Sequence, residues 1–239
     1  MPAPWQRNGT SLPSKRKMTE LWSFTVAKLP ENHFAFAMAA SVDSLPHNSN
    51  LCRWGKLSSG LCTLCCKIGR QSKQTLAHVS SHCQAAIQHC RYNSQHDRIL
   101  EVLFKHLQQH LPPGTKVVAD LAGKLYTLPA SLLTDLRPDL VVHSPGQLHL
   151  LELTVCWEAN FLSAKLRKES KYLHLLKQAH GVGTQASLST IEVGCRGFID
   201  SKSLHHLFAL APTSIKIQKS LTSQIIKIVI VESHAIWSL

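Results

Sequence analysis

Long apolar runs are missing from this 239-residue chain. The stretch from Phe34 to Val42 is far short of the roughly 20 apolar residues that a bilayer-spanning helix needs. No apolar core follows the opening MPAPWQRNGTSLPSKRK, so the reading is of a chain with neither an export signal nor a membrane anchor. Carboxylates are scarce as well. Asp and Glu number 14 against 26 Lys and Arg, a formal net charge of +12 that attracts polyanions before any specific contact forms. Nucleic acid is therefore the leading partner class. Eight cysteines without an export signal, in a chain long enough to bury its own core, read as thiols of a reducing compartment rather than as a disulfide scaffold.

With 44% hydrophobic residues the chain can form one main domain and a smaller appended module. Residues 1–17 are rich in Pro, Ser and basic residues without apolar period and read as a disordered basic tail, with Lys15-Arg16-Lys17 as a short cluster of the kind that serves nuclear import. Residues 18–90 read as a helical and zinc-binding module, with two short helices between Met18 and Ser41. Residues 91–239 form the main domain. Its first element is the clearest amphipathic helix of the chain, carrying Ile99, Leu100, Leu103, Phe104, Leu107 and Leu111 on one face and ending at Pro112-Pro113-Gly114. Strands are expected over Lys116–Asp120, Asp139–His143 and Gln147–Cys156, then a helix from Asn160 to about His180. A fourth strand over Thr190–Gly194 and a short helix over Ser203–Leu210 follow. The last stretch is ambiguous, because IIKIVIV favours a strand by composition while a helix also fits.

Cys62-x2-Cys65 and His78-x4-Cys83 are two close ligand pairs joined by a loop. Thiolate and imidazole are the donors zinc prefers, and such pairs close a tetrahedral site with little backbone strain. Cys66, His82, His89 and Cys90 lie nearby and are alternative ligands.

Within Gln147–Cys156, alternation places Glu152 on one face with Leu148, Leu150 and Thr154. A carboxylate among apolar residues needs a cation or a basic partner, because burying it alone is costly. Asp139 reaches the same place if the second and third strands form a hairpin. On the following helix Leu162, Leu166, Leu173 and Leu176 form the expected buried stripe. Lys165, Lys168 and Tyr172 share one flank of it, which favours Lys168 over Lys171 as the lysine at the edge of the core. Two carboxylates and a lysine are the set that a metal-dependent phosphodiesterase uses.

The motifs Arg137-Pro138-Asp139, Glu152-Leu153-Thr154-Val155, Trp157-Glu158 and Lys168-x2-Lys171-Tyr172, in this order, resemble the C-terminal restriction-like endonuclease of site-specific non-LTR (LINE-type) retrotransposon proteins. The resemblance extends upstream through Asp43-Ser44-Leu45-Pro46, Arg53-Trp54, the Cys/His pairs, Arg91-Tyr92 and His96-Asp97. Downstream it takes in Glu192-Val193-Gly194 and Ile236-Trp237. It implies an α/β fold of the restriction-endonuclease-like PD-(D/E)XK type, with core order helix, three strands, helix, strand, behind a zinc-knuckle-like module. It also implies a nuclear enzyme that nicks DNA and leaves the 3′-hydroxyl from which a reverse transcriptase copies element RNA. Asp139 and Glu152 would then bind Mg2+ or Mn2+, and Lys168 would be the catalytic lysine, supplied from the helix because Thr154 holds the usual strand position. Arg137, Arg167, Lys171, Tyr172, Arg91 and His96 are the expected DNA contacts. One departure is Gln95, where the family often has a basic residue. No palm-type aspartate pair follows an aromatic residue anywhere, so the polymerase is not expected in this chain, which reads as a fragment. The alternative is a nucleic-acid-binding zinc module attached to a degenerate, non-catalytic nuclease fold.

Overall fold

The computed structural model describes residues 15–122, 135–200 and 202–238. The first fourteen residues of the expected tail lie outside this range, and helix α1 (Lys15–Val26) takes in its last three. Helix α2 (Glu31–Ser41) follows, then the short helices α3 (Asn48–Arg53), α4 (Thr63–Lys67) and α5 (Gln84–Gln88) of the cysteine-rich module. The main domain runs α6 (Asn93–His110), β1 (Lys116–Ala119), β2 (Leu140–Ser144), β3 (Gln147–Cys156), α7 (Phe161–Gly181), β4 (Gln185–Gly194), α8 (Ser203–Leu210) and α9 (Ile215–Ser238).

The four strands make one mixed sheet in the order β1-β2-β3-β4, antiparallel except for the β3–β4 pair. Gly146, at positive φ, closes the tight β2–β3 hairpin, which a side chain at that position would strain. The parallel pair needs a crossover, and α7 supplies it. One face of the sheet packs Val141, Leu148 and Leu150 against Tyr172, Leu175 and Ala179 of α7. The other face packs Leu140, Leu151, Leu153 and Ile191 against α6 and α8, and α9 packs on α6. The result is three layers, with α1 and α2 covering the outer side of α9.

One ambiguity is resolved here and one expectation is overturned. The segment IIKIVIV is helical, because α9 is enclosed by α1, α2 and α6 and buries Leu221, Ile225, Ile226, Ile228, Val229 and Ile230 on several sides at once. A helix apolar all round is stable when it is surrounded. On α7 the leucine stripe faces outward, with Leu162 at 68% exposure and Leu166 and Leu173 also exposed. The buried row is Ala164, Tyr172, Leu175 and Ala179, whose small alanines let the helix lie close on the sheet.

His106 on α6 sits against Phe208 and His110 and is held down at about 4 by burial and then by the charge of His110. The unfolded chain takes up this proton near pH 6.5. Stability is therefore complete above pH 6.5 and falls as the pH drops from 6.5 towards 4, by roughly 2–3 kcal/mol for this one group. Urea unfolding at pH 7.5 and pH 4.5 is expected to show that loss in the wild type and a correspondingly smaller one in His106→Leu. Equal losses in the two proteins would assign the acid sensitivity elsewhere.

Candidate functional site

The sheet brings Asp139 and Glu152 together by their own backbone. Asp139 precedes β2, and the register Leu140–Leu151 sets it beside Glu152 on β3. The two residues cap each other. The amide of Asp139 donates to Glu152 Oε1 at 3.0 Å, and the amide of Leu153 donates to Asp139 Oδ2 at 2.7 Å. Alternation turns Glu152 towards α7, where it is 0% exposed. From α7, Lys168 forms an ion pair with Glu152 Oε2, and its Nζ lies 3.7 Å from Asp139 Oδ2. The Lys168 side chain keeps 18% exposure, so the cluster opens to solvent on the lysine side.

His96 joins from α6. Its Nε2 is 3.5 Å from Asp139 Oδ2 and its Nδ1 is 3.1 Å from Asp97 Oδ1. Burial opposes a charge on this ring, but Asp139 and Asp97 outweigh it and hold His96 above the usual histidine range. Burial likewise raises Asp139, yet His96, Lys168 and the Leu153 amide together hold its carboxyl below the usual range. Asp139, Glu152 and Lys168 are thus one cluster drawn from three elements, as the sequence reading expected. His96 faces the carboxylate rather than lying free for DNA.

The expected DNA contacts divide. Arg167 and Lys171 are exposed on α7. Arg137 is exposed but makes a two-pronged ion pair with Asp120. Tyr172 is a correction: at 0% exposure it is a core residue, its hydroxyl donating to the carbonyl of Arg137 at 3.1 Å and accepting from Lys171 Nζ at 2.9 Å. It ties α7 to the segment entering β2 and so positions Asp139 against Lys168. Arg91 is half-buried beside a cavity of about 220 Å3 between the cysteine-rich module and α9. Gln95, the departure from the family pattern, turns into the core, where its amide donates to Ser233 Oγ at 2.8 Å.

The second site is a closed cluster. Cys62, Cys65, His78 and Cys83 are buried, and their ligand atoms all lie within 4.8 Å of one another. Cys62 Sγ is 3.9 Å and Cys65 Sγ 3.6 Å from Cys83 Sγ, and Cys65 Sγ is 3.3 Å from His78 Nε2. A zinc tetrahedron with Zn–S bonds of about 2.3 Å has S–S edges of about 3.8 Å, so these four residues fit the ion. Cys66, His82, His89 and Cys90 are exposed, which removes them as alternatives. An isolated bridge between Leu61 and Lys73 shapes the Cys62–Cys65 arm. Tyr92 holds the other arm, its hydroxyl donating to the Val79 carbonyl at 2.8 Å and accepting from the Cys83 amide at 3.2 Å. Burial pushes the Cys83 thiol up to about 11. A cation among the sulfurs would reverse that preference.

One feature was legible in the sequence and passed over. Between Asp43 and Asp97 there is no Asp or Glu, against six basic residues: Arg53, Lys56, Lys67, Arg70, Lys73 and Arg91. All but Arg91 are exposed, and Trp54 among them is 42% exposed. Among the described residues no helix is long and apolar enough to cross a membrane. No protein-family model and no curated protein matches this chain, which is a mixed α/β protein with a four-stranded mixed sheet and a Cys3His cluster able to hold zinc.

Proposed function

We propose that the chain is a divalent-metal-dependent DNA endonuclease of the restriction-endonuclease-like, PD-(D/E)XK type, akin to the C-terminal region of non-LTR retrotransposon proteins and acting on nuclear DNA. The observation that carries this reading is the convergence of Asp139, Glu152 and Lys168 from a strand entrance, a strand and a helix onto one cluster that opens to solvent at Lys168. Hard oxygen donors of this kind suit Mg2+ or Mn2+, and Asp139 and Glu152 would hold the ion. Such an ion, when bound, polarises the scissile phosphate and makes a bound water acidic.

The residues of the chain do the rest. Glu152 is held rigid by the Asp139 amide, and Asp139 by the Leu153 amide, so the two carboxylates need little reorganisation to act together. Lys168, at the open side, offers a positive charge to the phosphate as negative charge develops on it. Arg167 and Lys171 are exposed beside it on α7 and would contact phosphates. Hydrolysis leaves a 3′-hydroxyl.

Incubation with supercoiled plasmid tests the reading. Nicking that requires Mg2+ or Mn2+ and falls by about 10³-fold in Asp139→Ala is expected. Nicking unchanged in that variant would place the activity elsewhere or in a contaminant. The carboxylate-free basic run around the Cys3His cluster favours a second reading, a zinc module that binds nucleic acid beside an inactive core. Steeply salt-dependent binding without any nicking would select it.

A further inference from the structure

A cavity of about 670 Å3 opens at the end of the sheet remote from the carboxylates, between the α6–β1 connection, strands β2 to β4 and α8. Its volume lies within the roughly 300–1,000 Å3 of small-molecule sites. Leu111, Val142, Leu210 and Pro212 contribute apolar walls. Among the described residues no Lys, Arg, Asp or Glu lines it, in a chain whose formal charge is +12. An ionised ligand would lose its hydration there and find no counter-charge.

Among the described residues, two buried polar atoms of the lining have no partner. His149 Nδ1 meets Ser187 Oγ at 2.5 Å, which leaves its Nε2 buried and unpaired. Ser189 is 4% exposed, and its Oγ is unpaired too. His149 pairs with Ser187 and Leu151 with Ser189 across β3 and β4, so alternation sets all three polar residues on one face of the sheet, opposite Glu152. Burial, and then the nearby His206, holds His149 down at about 4, so at neutral pH the ring offers a hydrogen bond rather than a charge. Unsatisfied polar atoms are uncommon in protein interiors, and two beside one cavity mark where an absent partner belongs.

We propose that this cavity binds a neutral heteroaromatic molecule of one or two rings, whose faces pack against the apolar walls and whose polar edge meets His149 Nε2 and Ser189 Oγ. The bound molecule bridges the sheet to α8, because His206, Ala209 and Leu210 of α8 form the opposite wall. The site is separate from the carboxylate cluster and does not depend on the nuclease reading.

Benzimidazole is a suitable probe, being neutral at pH 7.5 with a donor and an acceptor on one edge. Benzoate, of similar size but charged, is the control. Titration calorimetry and backbone amide spectra of the full chain are expected to show benzimidazole binding at about 1 mM or tighter, with shifts centred on Ser187, Ser189 and Ala209, and no binding of benzoate. Ser189→Ala removes only one hydroxyl and is expected to weaken binding about tenfold. Ala209→Phe fills the cavity and is expected to abolish binding, with circular dichroism reporting that the fold is intact. If Ala209→Phe fails to fold, Ser189→Ala alone decides. Absence of saturable binding up to about 10 mM would show that the cavity holds only water and overturn the proposal. Binding that Ser189→Ala leaves unchanged would overturn it equally.

Discussion

Replacing Lys168 with methionine is expected to lower plasmid nicking by about 10²–10³-fold while Mn2+ binding persists, because the lysine acts on developing phosphate charge and not as a metal ligand. The same change has a structural cost. Lys168 is paired with Glu152, a carboxylate at 0% exposure, and removing one partner of a buried pair leaves the other uncompensated. Since Glu152 Oε1 keeps the Asp139 amide and the lysine is itself partly exposed, the expected loss is roughly 2–3 kcal/mol, below the 3–5 kcal/mol typical of a fully buried pair. Urea unfolding measures it, and the double variant Lys168→Met/Glu152→Gln is expected to recover most of it without recovering activity. That combination separates catalysis from folding. Wild-type nicking by Lys168→Met would remove the lysine from the mechanism. Lys165 would not inherit the role, since it is exposed and faces Glu169 at 3.8 Å.

The second large effect concerns the Cys3His cluster. One equivalent of zinc per chain is expected by metal analysis, lost in Cys65→Ser and retained in Cys66→Ser, because Cys65 is buried within the cluster and Cys66 is exposed. The small core of this module is Cys62, Cys65, Cys83, Ala85 and Ala86 with Leu64, Ile68 and Tyr92 around it. Three of its five fully buried members are the ligands themselves, so little apolar surface remains to hold the loops once the ion is gone. Structural zinc contributes about 10–16 kcal/mol of binding free energy in finger peptides, all of it available to folding. Chelation is therefore expected to unfold residues 44–92 locally. Trypsin should then cut rapidly after Lys56, Lys67, Arg70 and Lys73, while the sheet domain, whose core draws only Leu45 and Leu76 from this module, survives. A zinc-free preparation as resistant to trypsin as the wild type would show that the cluster is only a set of buried thiols.

Several features could be read from residue order because they depend on local periodicity. The apolar spacing of α6 identified its buried face, and period-two alternation along β3 identified Glu152 as a carboxylate set among apolar residues on one face of the strand. The paired spacing of Cys62, Cys65, His78 and Cys83 singled out the four residues that meet, but not against their neighbours. Exposure of Cys66, His82, His89 and Cys90, a property of the folded loops, settled that choice.

What local pattern could not reach is which neighbour each face meets. On α7 hydrophobicity pointed to the leucines, whereas the sheet accepts the alanine and tyrosine face because close approach there needs small side chains, so Lys168 reaches the carboxylates while Leu162 and Leu166 stay in solvent. Composition left α9 undecided between strand and helix, and enclosure by three helices decided it. His96 and Tyr172 were read as DNA contacts from their positions in motifs. Packing made one a partner of Asp139 and the other the tie that holds Asp139 in place. Residue order determined the strands, the helices other than α9 and the chemical groups available, since each follows from contacts a few residues apart. Only the tertiary structure decided which of those groups meet, because pairs such as Asp139–His96 and Glu152–Lys168 depend on how the sheet and its two helical layers pack.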